Sequence, residues 1–311
     1  MKRQRGVILI SAMILVALAT IIAATLFFET AMAARRSSAE YGMEQAVQFA
    51  AGAEALAAYG LSQDTNQTDV PTEDWAKPYG PVDIEEGIQL AAVLTDEQGK
   101  FNINTLINTN GAHDAEAMRI FQRLLELSGL DTRWGPLILD WIDTDSNPEP
   151  SGGEDTLYFA RVPAHLTANQ FVTSISELRQ LPGFTDEMYQ KLAPHITALP
   201  PSVNKVNVCS ADGVVLDSLY AVSATSTGFV EHSQRTKEQW DSLRSGSDCF
   251  PKRADLVAVE PKTGRFTAER TSYFRLTTSV RIGTAEFTLY SLMYRDGRKK
   301  ARALLRSFGT E

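Results

Sequence analysis

The sequence predicts an α+β fold, in which one long N-terminal α-helix packs with its second half on an antiparallel β-sheet and an all-α domain is inserted between the sheet segments. Residues 7–28 carry no charge and continue without proline into an Ala-, Glu- and Gln-rich segment. From residue 274 onward, apolar and polar side chains alternate as in strands, whereas the residues between show helical spacing. These three patterns define the expected layers.

The chain begins with a short basic leader, MKRQRG, that runs directly into the apolar segment. An uncharged stretch of about 20 residues is long enough to cross a bilayer as a helix. A secretory signal peptide is cut after its apolar region, but here the glycine boundary, Gly6, precedes it. Cleavage at Gly6 would therefore leave the membrane anchor on the mature protein. Because basic residues stay on the cytoplasmic side, the bulk of the chain is expected outside the cytoplasm.

The transmembrane helix is expected to continue as far as Tyr59. Met43, Val47, Ala50 and Ala57 follow helical spacing, and Gly60 with the polar residues 62–69 marks the end. An unbroken helix over residues 7–59 would be about 80 Å long. The alternative is a membrane helix followed by a separate short helix, with a kink near residues 35–36.

Two segments predict β-hairpins. In the first, Ile88, Leu90 and Ala92 alternate with other residues, residues 96–99 turn the chain, and residues 100–104 return. In the second, residues 274–282 and 285–289 alternate around a two-residue loop at Gly283, and a further turn precedes residues 301–308. An apolar face on such a sheet needs a cover, for which the N-terminal helix is the candidate.

Residues 106–201 show helical patterns instead. The predicted helices cover residues 115–128, 135–142, 174–181 and 186–196. The expected organisation is a leader (1–6), a transmembrane helix (7–28), the rest of the long helix with the first strands (29–105), an inserted α-helical domain (106–201) and a C-terminal part with the antiparallel sheet (202–311).

Charge and cysteine content restrict the function. The formal net charge is -8, and it becomes -11 when Lys2, Arg3 and Arg5 leave with the leader. Such a surface repels nucleic acid and anionic lipid. Cys209 and Cys249 are the two cysteines, and in an oxidising compartment they most simply form one disulfide. The alternative is two free thiols in a reducing compartment.

The leader resembles that of type IV prepilins and of the pseudopilins of type II secretion systems, which a prepilin peptidase cuts after the glycine, here Gly6, and N-methylates at the next residue, here Val7. Most members carry glutamate at the fifth mature position, whereas this chain has Ser11. Lack of that glutamate is typical of the K-type minor pseudopilin. Residues 96–104, 139–145, 153–155 and 272–275 extend the resemblance along the chain. The alternative is an ordinary signal anchor.

By this resemblance the chain is identified as a member of the K-type minor pseudopilin family, general secretion pathway protein K. The resemblance implies a non-enzymatic subunit, anchored in the bacterial inner membrane by one span, with its C-terminal domain in the periplasm. Such a subunit caps the tip of the pseudopilus and starts its assembly with the I-type and J-type minor pseudopilins, supporting protein export across the outer membrane. The H-type and major pseudopilins and the prepilin peptidase are the other implied partners, without nucleic acid.

An acidic loop follows the second inserted helix. Six carboxylates fall within residues 140–155: Asp140, Asp143, Asp145, Glu149, Glu154 and Asp155. Oxygen ligands on a flexible turn suit Ca²⁺, although Pro148 occupies the position where an EF-hand has glycine. The resemblance implies calcium binding, with Asp143, Asp145, Glu154 and Asp155 as ligands. The alternative is a solvated loop in which Asp145 and Asn147 cap turns.

Sequence motifs bear on two alternative functions, DNA binding and enzymatic hydrolysis. Residues 178–184, LRQLPGF, resemble a helix-hairpin-helix element, which would make the chain a membrane-anchored DNA-binding protein of a competence or type IV pilus system. Its acidic flanks and the net charge disfavour this alternative. The four histidines are scattered outside any catalytic motif. A hydrolase with a metal at Asp143 and Asp145 is the remaining enzyme alternative, and the expectation is that the protein is not an enzyme.

Overall fold

The computed structural model describes residues 5–159, 162–222, 231–246, 248–297 and 300–309. The leader residues 1–4 lie outside these ranges. Gly6 and Val7, the expected cleavage site, lie in the first turn of the first helix. The α-helices are α1 (Arg5–Gln63), α2 (Ala115–Leu127), α3 (Trp134–Ile142), α4 (Asp155–Tyr158), α5 (Asp186–Leu192), α6 (Gly213–Ser218), α7 (Lys237–Leu243) and α8 (Arg253–Val259). The strands are β1 (Tyr79–Glu85), β2 (Ile88–Asp96), β3 (Phe101–Asn102), β4 (Ile196–Thr197), β5 (Val206–Asn207), β6 (Thr267–Ala268), β7 (Tyr273–Ile282), β8 (Ala285–Arg295) and β9 (Ala301–Phe308).

Helix α1, the spine helix, is one helix of 59 residues. Since each residue rises 1.5 Å, it is about 90 Å long. The predicted continuity is confirmed, and the helix passes through Gly60 to end at Gln63. Among the described residues, α1 is the helix that is long and apolar enough to cross a membrane, and the side chains of residues 9–28 are exposed in the isolated chain.

The main sheet has five strands in the order β1-β2-β7-β8-β9, and all neighbours are antiparallel. This confirms the predicted C-terminal meander, with Gly283 at positive φ in the β7–β8 turn. The spine helix covers one face: Ala46 and Ala50 pack with Leu90 of β2 and with β7 and β8. Further along the helix, Leu61 packs with Leu94 at the end of β2. The expected cover for the apolar face is therefore confirmed.

The predicted hairpin over residues 88–104 is wrong. Strand β2 pairs with β1 and β7, whereas β3 pairs in parallel with β4. The cause is tertiary packing, because Phe101 is 2% exposed and stacks on Phe121 of α2 at 5.6 Å between ring centroids. Strand β1 was not predicted, since it contains Gly80 and Pro81 and only Val82 is partly buried.

A second core lies in a helical body, defined here as residues 101–266. Helices α2 and α3 match the predicted segments, but residues 175–180 form a 3₁₀ helix, and the segment 186–196 divides into α5, a 3₁₀ turn at Pro194 and the start of β4. Pro194 explains the division, because proline interrupts the α-helical hydrogen-bond ladder.

The helical body is larger than the predicted 106–201. Val208, Leu216 and Phe266 share one buried cluster with Phe121 and Ile138. The predicted C-terminal unit, 202–311, is thus divided, since only its last three strands belong to the main sheet. Cys209 and Cys249 are buried in the body and form a disulfide across a sequence separation of 40 residues.

Candidate metal centre in the helical body

Helix α3 carries carboxylates into the interior of the helical body. Eight of its nine residues are buried, among them Asp140, and the helix ends at Ile142. Asp143 follows as the C-cap residue with extended backbone, 3% exposed. The loop then turns through Pro148, Pro150 and two glycines before Glu154 precedes α4. An apolar helix thus ends in an acidic loop that folds back over it.

Three carboxylates meet beneath this loop. Asp140, Asp143 and Glu154 are 0%, 3% and 6% exposed, and one oxygen of each lies within 4.8 Å of the others. Both oxygens of Asp143 and both of Glu154 are buried without a hydrogen bond of normal geometry from the described residues, although His113 Nε2 lies 3.3 Å from Asp143 Oδ2. Buried carboxylates are normally paired or hydrogen-bonded, because an isolated buried charge is costly. Four orphaned oxygens in one place therefore indicate a cation site.

Asp140 is held by the loop itself. Its Oδ2 accepts hydrogen bonds from the backbone N–H groups of Gly153, at 2.7 Å, and Glu149, at 3.1 Å. A Cβ atom at Gly152 would collide with the Asp140 carboxylate. Glycine at this position lets the backbone close over the carboxylates, so the cluster depends on the loop's composition as well as on its charges.

His113, just before α2, lies at the outer rim of the cluster. Its Nε2 is 3.3 Å from Asp143 Oδ2, and its Nδ1 is 3.0 Å from Glu149 Oε1. His113, Asp143 and the exposed Asp145 also form a group with ligand atoms within 4.8 Å of one another. Asp143 therefore faces both the buried carboxylates and this more exposed rim.

Burial and repulsion between neighbouring carboxylates raise the pKa values of Asp140 and Asp143, and the opposing effect of His113 is smaller. Burial raises the pKa of Asp143 to about 6, and the neighbouring Asp145 and Asp140 carboxylates add to the effect. Burial is also the main cause that raises the pKa of Glu154, where Asp143 adds repulsion. The pKa of Asp140 is raised by burial despite its backbone hydrogen bonds. A bound cation would remove these penalties, since opposite charge favours the ionised carboxylate.

The predicted ligands are only partly assembled. Asp143 and Glu154 lie in the buried group, and Asp145 lies at the rim with His113. Asp155 is engaged elsewhere, because its Oδ1 accepts hydrogen bonds from Thr167 N at 3.0 Å and Thr167 Oγ1 at 2.9 Å. The structure adds Asp140, which the sequence could have indicated because it precedes Asp143 by three residues at the end of one helix.

The donor set fits a hard divalent cation. Three buried carboxylates and one rim carboxylate provide oxygen ligands, as Ca²⁺ prefers. His113 lies far from the acidic loop in the sequence, and no local sequence pattern predicted that it would lie beside Asp143. The residues present are thus suited to bind a calcium-like ion and to join the end of α3 to the start of α4.

The segment that resembles a helix-hairpin-helix element is built into the core. Leu178 and Leu181 are 0% and 1% exposed, and Gly183 turns the chain with φ of 82°. Arg179 is engaged in an ion pair with Asp186 at 2.8 Å and lies over the Tyr189 ring. The hairpin thus supports packing within the helical body.

Comparisons with known proteins agree with this architecture. A family model described as type II secretion system (T2SS), protein K matches residues 99–201. The type II secretion system protein K of Pseudomonas aeruginosa is 30% identical over 99% of this chain and 94% of that protein. The protein of the same name from Klebsiella pneumoniae is 31% identical over 95% of this chain and 94% of that protein.

A solved structure shows the same fold. It is a chain from the crystal structure of the GspK-GspI-GspJ complex of the enterotoxigenic Escherichia coli type 2 secretion system, with a TM-score of 0.69 and 24% identity. The match covers 89% of this chain and 100% of that chain. The match in structure shows the fold, and the identity of 30% and 31% to the two relatives over nearly their whole length shows that the chain belongs to the type II secretion system protein K family.

Proposed function

We propose that this protein is the minor pseudopilin that caps the tip of the type II secretion pseudopilus and starts its assembly with the I-type and J-type minor pseudopilins. The membership of the protein K family and the likeness to a chain of the GspK-GspI-GspJ complex support this proposal. The observation that carries it is the unbroken spine helix, which continues from the apolar segment into the folded domain. Such a helix anchors the protein in the membrane and packs in the fibre as one rigid element.

The apolar half of the spine helix provides the assembly surface. Residues 9–28 are exposed in the isolated chain, and among them Ala12, Ala19 and Ala23 are small enough for close helix approach. Ser11 offers no carboxylate to pair with the N-terminal amine of a further subunit. The helix therefore packs beside partner helices but lacks the charge that recruits a subunit above it.

The helical body provides the cap. Strand β2 begins with Ile88, near Ala46 and Ala50 of the spine helix, and reaches Leu94, near Leu61. The strand thus runs in the direction of the spine helix, away from the membrane half, and the chain enters the helical body directly afterwards. The bulk of the body lies at the distal end of the spine helix, where it blocks the addition of another subunit.

The membrane topology follows from the same elements. The basic leader stays in the cytoplasm, the apolar part of α1 spans the inner membrane, and the sheet and helical body lie in the periplasm. The disulfide between Cys209 and Cys249 suits this oxidising compartment. Prepilin peptidase then cuts after Gly6, and Val7 becomes the N-methylated first residue. The protein acts as a structural subunit and not as an enzyme.

The carboxylate cluster binds Ca²⁺ in this proposal. Asp140, Asp143 and Glu154 would hold the ion, with Asp145 at its outer side. The ion supplies the positive charge that the four orphaned oxygens of Asp143 and Glu154 lack. Because the ligands lie on both sides of the loop between α3 and α4, binding would fix the surface of the cap.

Co-purification tests the assembly role. The full-length protein is co-expressed with the I-type and J-type minor pseudopilins, extracted in detergent and isolated through an affinity tag on this chain. We expect a complex that contains all three proteins. Ala19→Leu, which places a bulky side chain on the surface formed by small residues, should weaken this complex more than the matched change Leu18→Ile. Isolation of this chain without either partner would contradict the proposed role.

A further inference from the structure

A second group of carboxylates lies where the spine helix ends. Asp64 directly follows α1, and the loop after it supplies Asp69 and Glu73. One oxygen of each lies within 4.8 Å of the others. Asp69 is 0% and Glu73 is 7% exposed, so this acidic group is part of the interior and not a solvated surface.

Arg295, at the end of β8, already pairs with two of the three carboxylates. Its Nη1 lies 2.6 Å from Asp64 Oδ2, and its Nη2 lies 2.6 Å from both oxygens of Asp69. Arg295 is 3% exposed and carries one positive charge against three carboxylates. The half-exposed Arg270 is further away, with Nε 3.9 Å from Asp69 Oδ2. The buried group therefore keeps an excess of negative charge.

Within the part of the chain that the structure describes, Glu73 is the carboxylate of the group that forms no ion pair. The indole Nε1 of Trp75 donates to Glu73 Oε2 at 2.6 Å. The other oxygen, Oε1, is buried and accepts no hydrogen bond from the described residues. A buried carboxylate oxygen without a donor is costly, and the Glu73 carboxylate also lies close to two further carboxylates. The missing donor at Oε1 is a second observation, separate from the clustering of the three carboxylates, and it indicates that a positively charged ligand is missing.

The space beside Glu73 can accept a small ion with its water. An open cavity of about 610 Å³ adjoins the group and is lined by Asp64, Thr65, Asn66, Thr72 and Glu73, among others. Hydroxyl, amide and carbonyl oxygens from these residues can complete the six to eight oxygen ligands of a calcium-like ion. The cavity opens to solvent, which gives the ion a path to the buried carboxylates.

We propose that Asp64, Asp69 and Glu73 form a second site for a divalent cation of the calcium class at the end of the spine helix. A divalent ion would balance the charge that one arginine leaves against three carboxylates. A basic side chain from a partner is less suited, because Arg295 already occupies the buried side of Asp64 and Asp69. The ion would join the end of α1 to the following loop and, through Arg295, to β8.

Terbium luminescence can test this site, because Tb³⁺ replaces Ca²⁺ and is excited by a nearby tryptophan. The full-length protein in detergent carries Asp143→Asn and Glu154→Gln, which remove the site in the helical body. We expect this background to bind Tb³⁺ with sensitised emission that calcium displaces. Trp75→Phe should abolish the emission while terbium binding, measured by equilibrium dialysis, remains.

Glu73→Gln should weaken terbium and calcium binding at least about tenfold, since a direct ligand is lost. If this variant does not fold, Asp64→Asn, at the solvent side of the group, should give a similar loss. Absence of terbium and calcium binding in the background protein would overturn the proposal. It would equally be overturned if Glu73→Gln and Asp64→Asn bound both ions as the background does, or if the group bound only a lysine-rich peptide.

Discussion

Glu54, in the half of the spine helix that packs on the sheet, forms a two-point ion pair with Arg306 of the last strand. Arg306 Nη2 lies 2.6 Å from Glu54 Oε1, and Arg306 Nε lies 2.8 Å from Glu54 Oε2. Ser291 Oγ of β8 also donates to Glu54 Oε2, at 2.9 Å. A charged residue on the mostly apolar buried face of the helix thus fixes the helix against β8 and β9.

We expect Arg306→Ala to destabilise the folded domain by about 1–2 kcal/mol, because a partly buried carboxylate loses two charge-assisted hydrogen bonds. The measurement is the free energy of unfolding from denaturant titration of the full-length protein in detergent. Arg302→Ala, on the same strand and exposed, is the matched control and should change stability little. Equal stability of the two variants would show that the pair does not hold the helix.

The same pair predicts a pH dependence. The hydrogen bond from Arg306 is the main cause that lowers the pKa of Glu54 from its ordinary value of 4.5. A carboxyl whose pKa is lower in the folded state stabilises the fold above its ordinary pKa, and this stabilisation is lost as pH falls through the folded-state pKa. The difference in unfolding free energy between wild type and Glu54→Gln should therefore shrink as the pH is lowered from 7 to below 4.5. A difference that stays constant over this range would contradict the assignment.

Calcium should stabilise the helical body. At a calcium concentration of about 100 times Kd, a site present only in the folded state adds about 2.7 kcal/mol. In protein carrying Glu73→Gln, which removes the second proposed site, we expect a chelator to lower the melting temperature, with recovery on addition of calcium and not magnesium. We expect Glu154→Gln in this background to abolish the response. Asp155→Asn should retain it, because Asp155 bonds to Thr167 outside the carboxylate group. If Asp155→Asn lost the response and Glu154→Gln kept it, Asp155 would be a calcium ligand, as the sequence predicted, and the ligand assignment from the structure would be wrong.

Gly152→Ala should weaken calcium binding. A Cβ at this position would meet the Asp140 carboxylate, so either the loop or Asp140 has to move. We expect a loss of affinity of at least about tenfold, as for other changes that displace metal ligands. Gly52→Ala, whose Cβ would meet nothing within 4 Å, is the control and should bind calcium normally. Isothermal titration calorimetry distinguishes the two, and equal affinities would mean that the loop need not close over Asp140.

Local sequence patterns were sufficient for the elements that depend on periodicity. The spine helix and the β7–β8–β9 meander were predicted because their apolar residues repeat with the period of a helix or a strand. Strand β1 was missed because Gly80 and Pro81 are atypical of strands, and β3 was misassigned because Phe101 is drawn into the helical core. These errors arise where tertiary packing overrides local preference.

The candidate metal centre was also predictable only where local sequence patterns determine it. The acidic loop indicated Asp143 and Glu154, which the structure brings together, whereas Asp155 is used by Thr167. Asp140 could have been inferred from its helical spacing to Asp143. His113 reaches the site only through the packing of α2 against α3, and no pattern within one segment of the chain encodes that contact.

We infer that the apolar helix is retained after processing and serves as the spine of a tip subunit. Mass spectrometry of the N-terminal peptide, from protein isolated from its native host, tests this most directly. We predict a mature chain that begins with N-methylated Val7, and an uncut leader in Gly6→Ala. A mature protein that still begins with the leader, or that has lost residues 7–28, would contradict it.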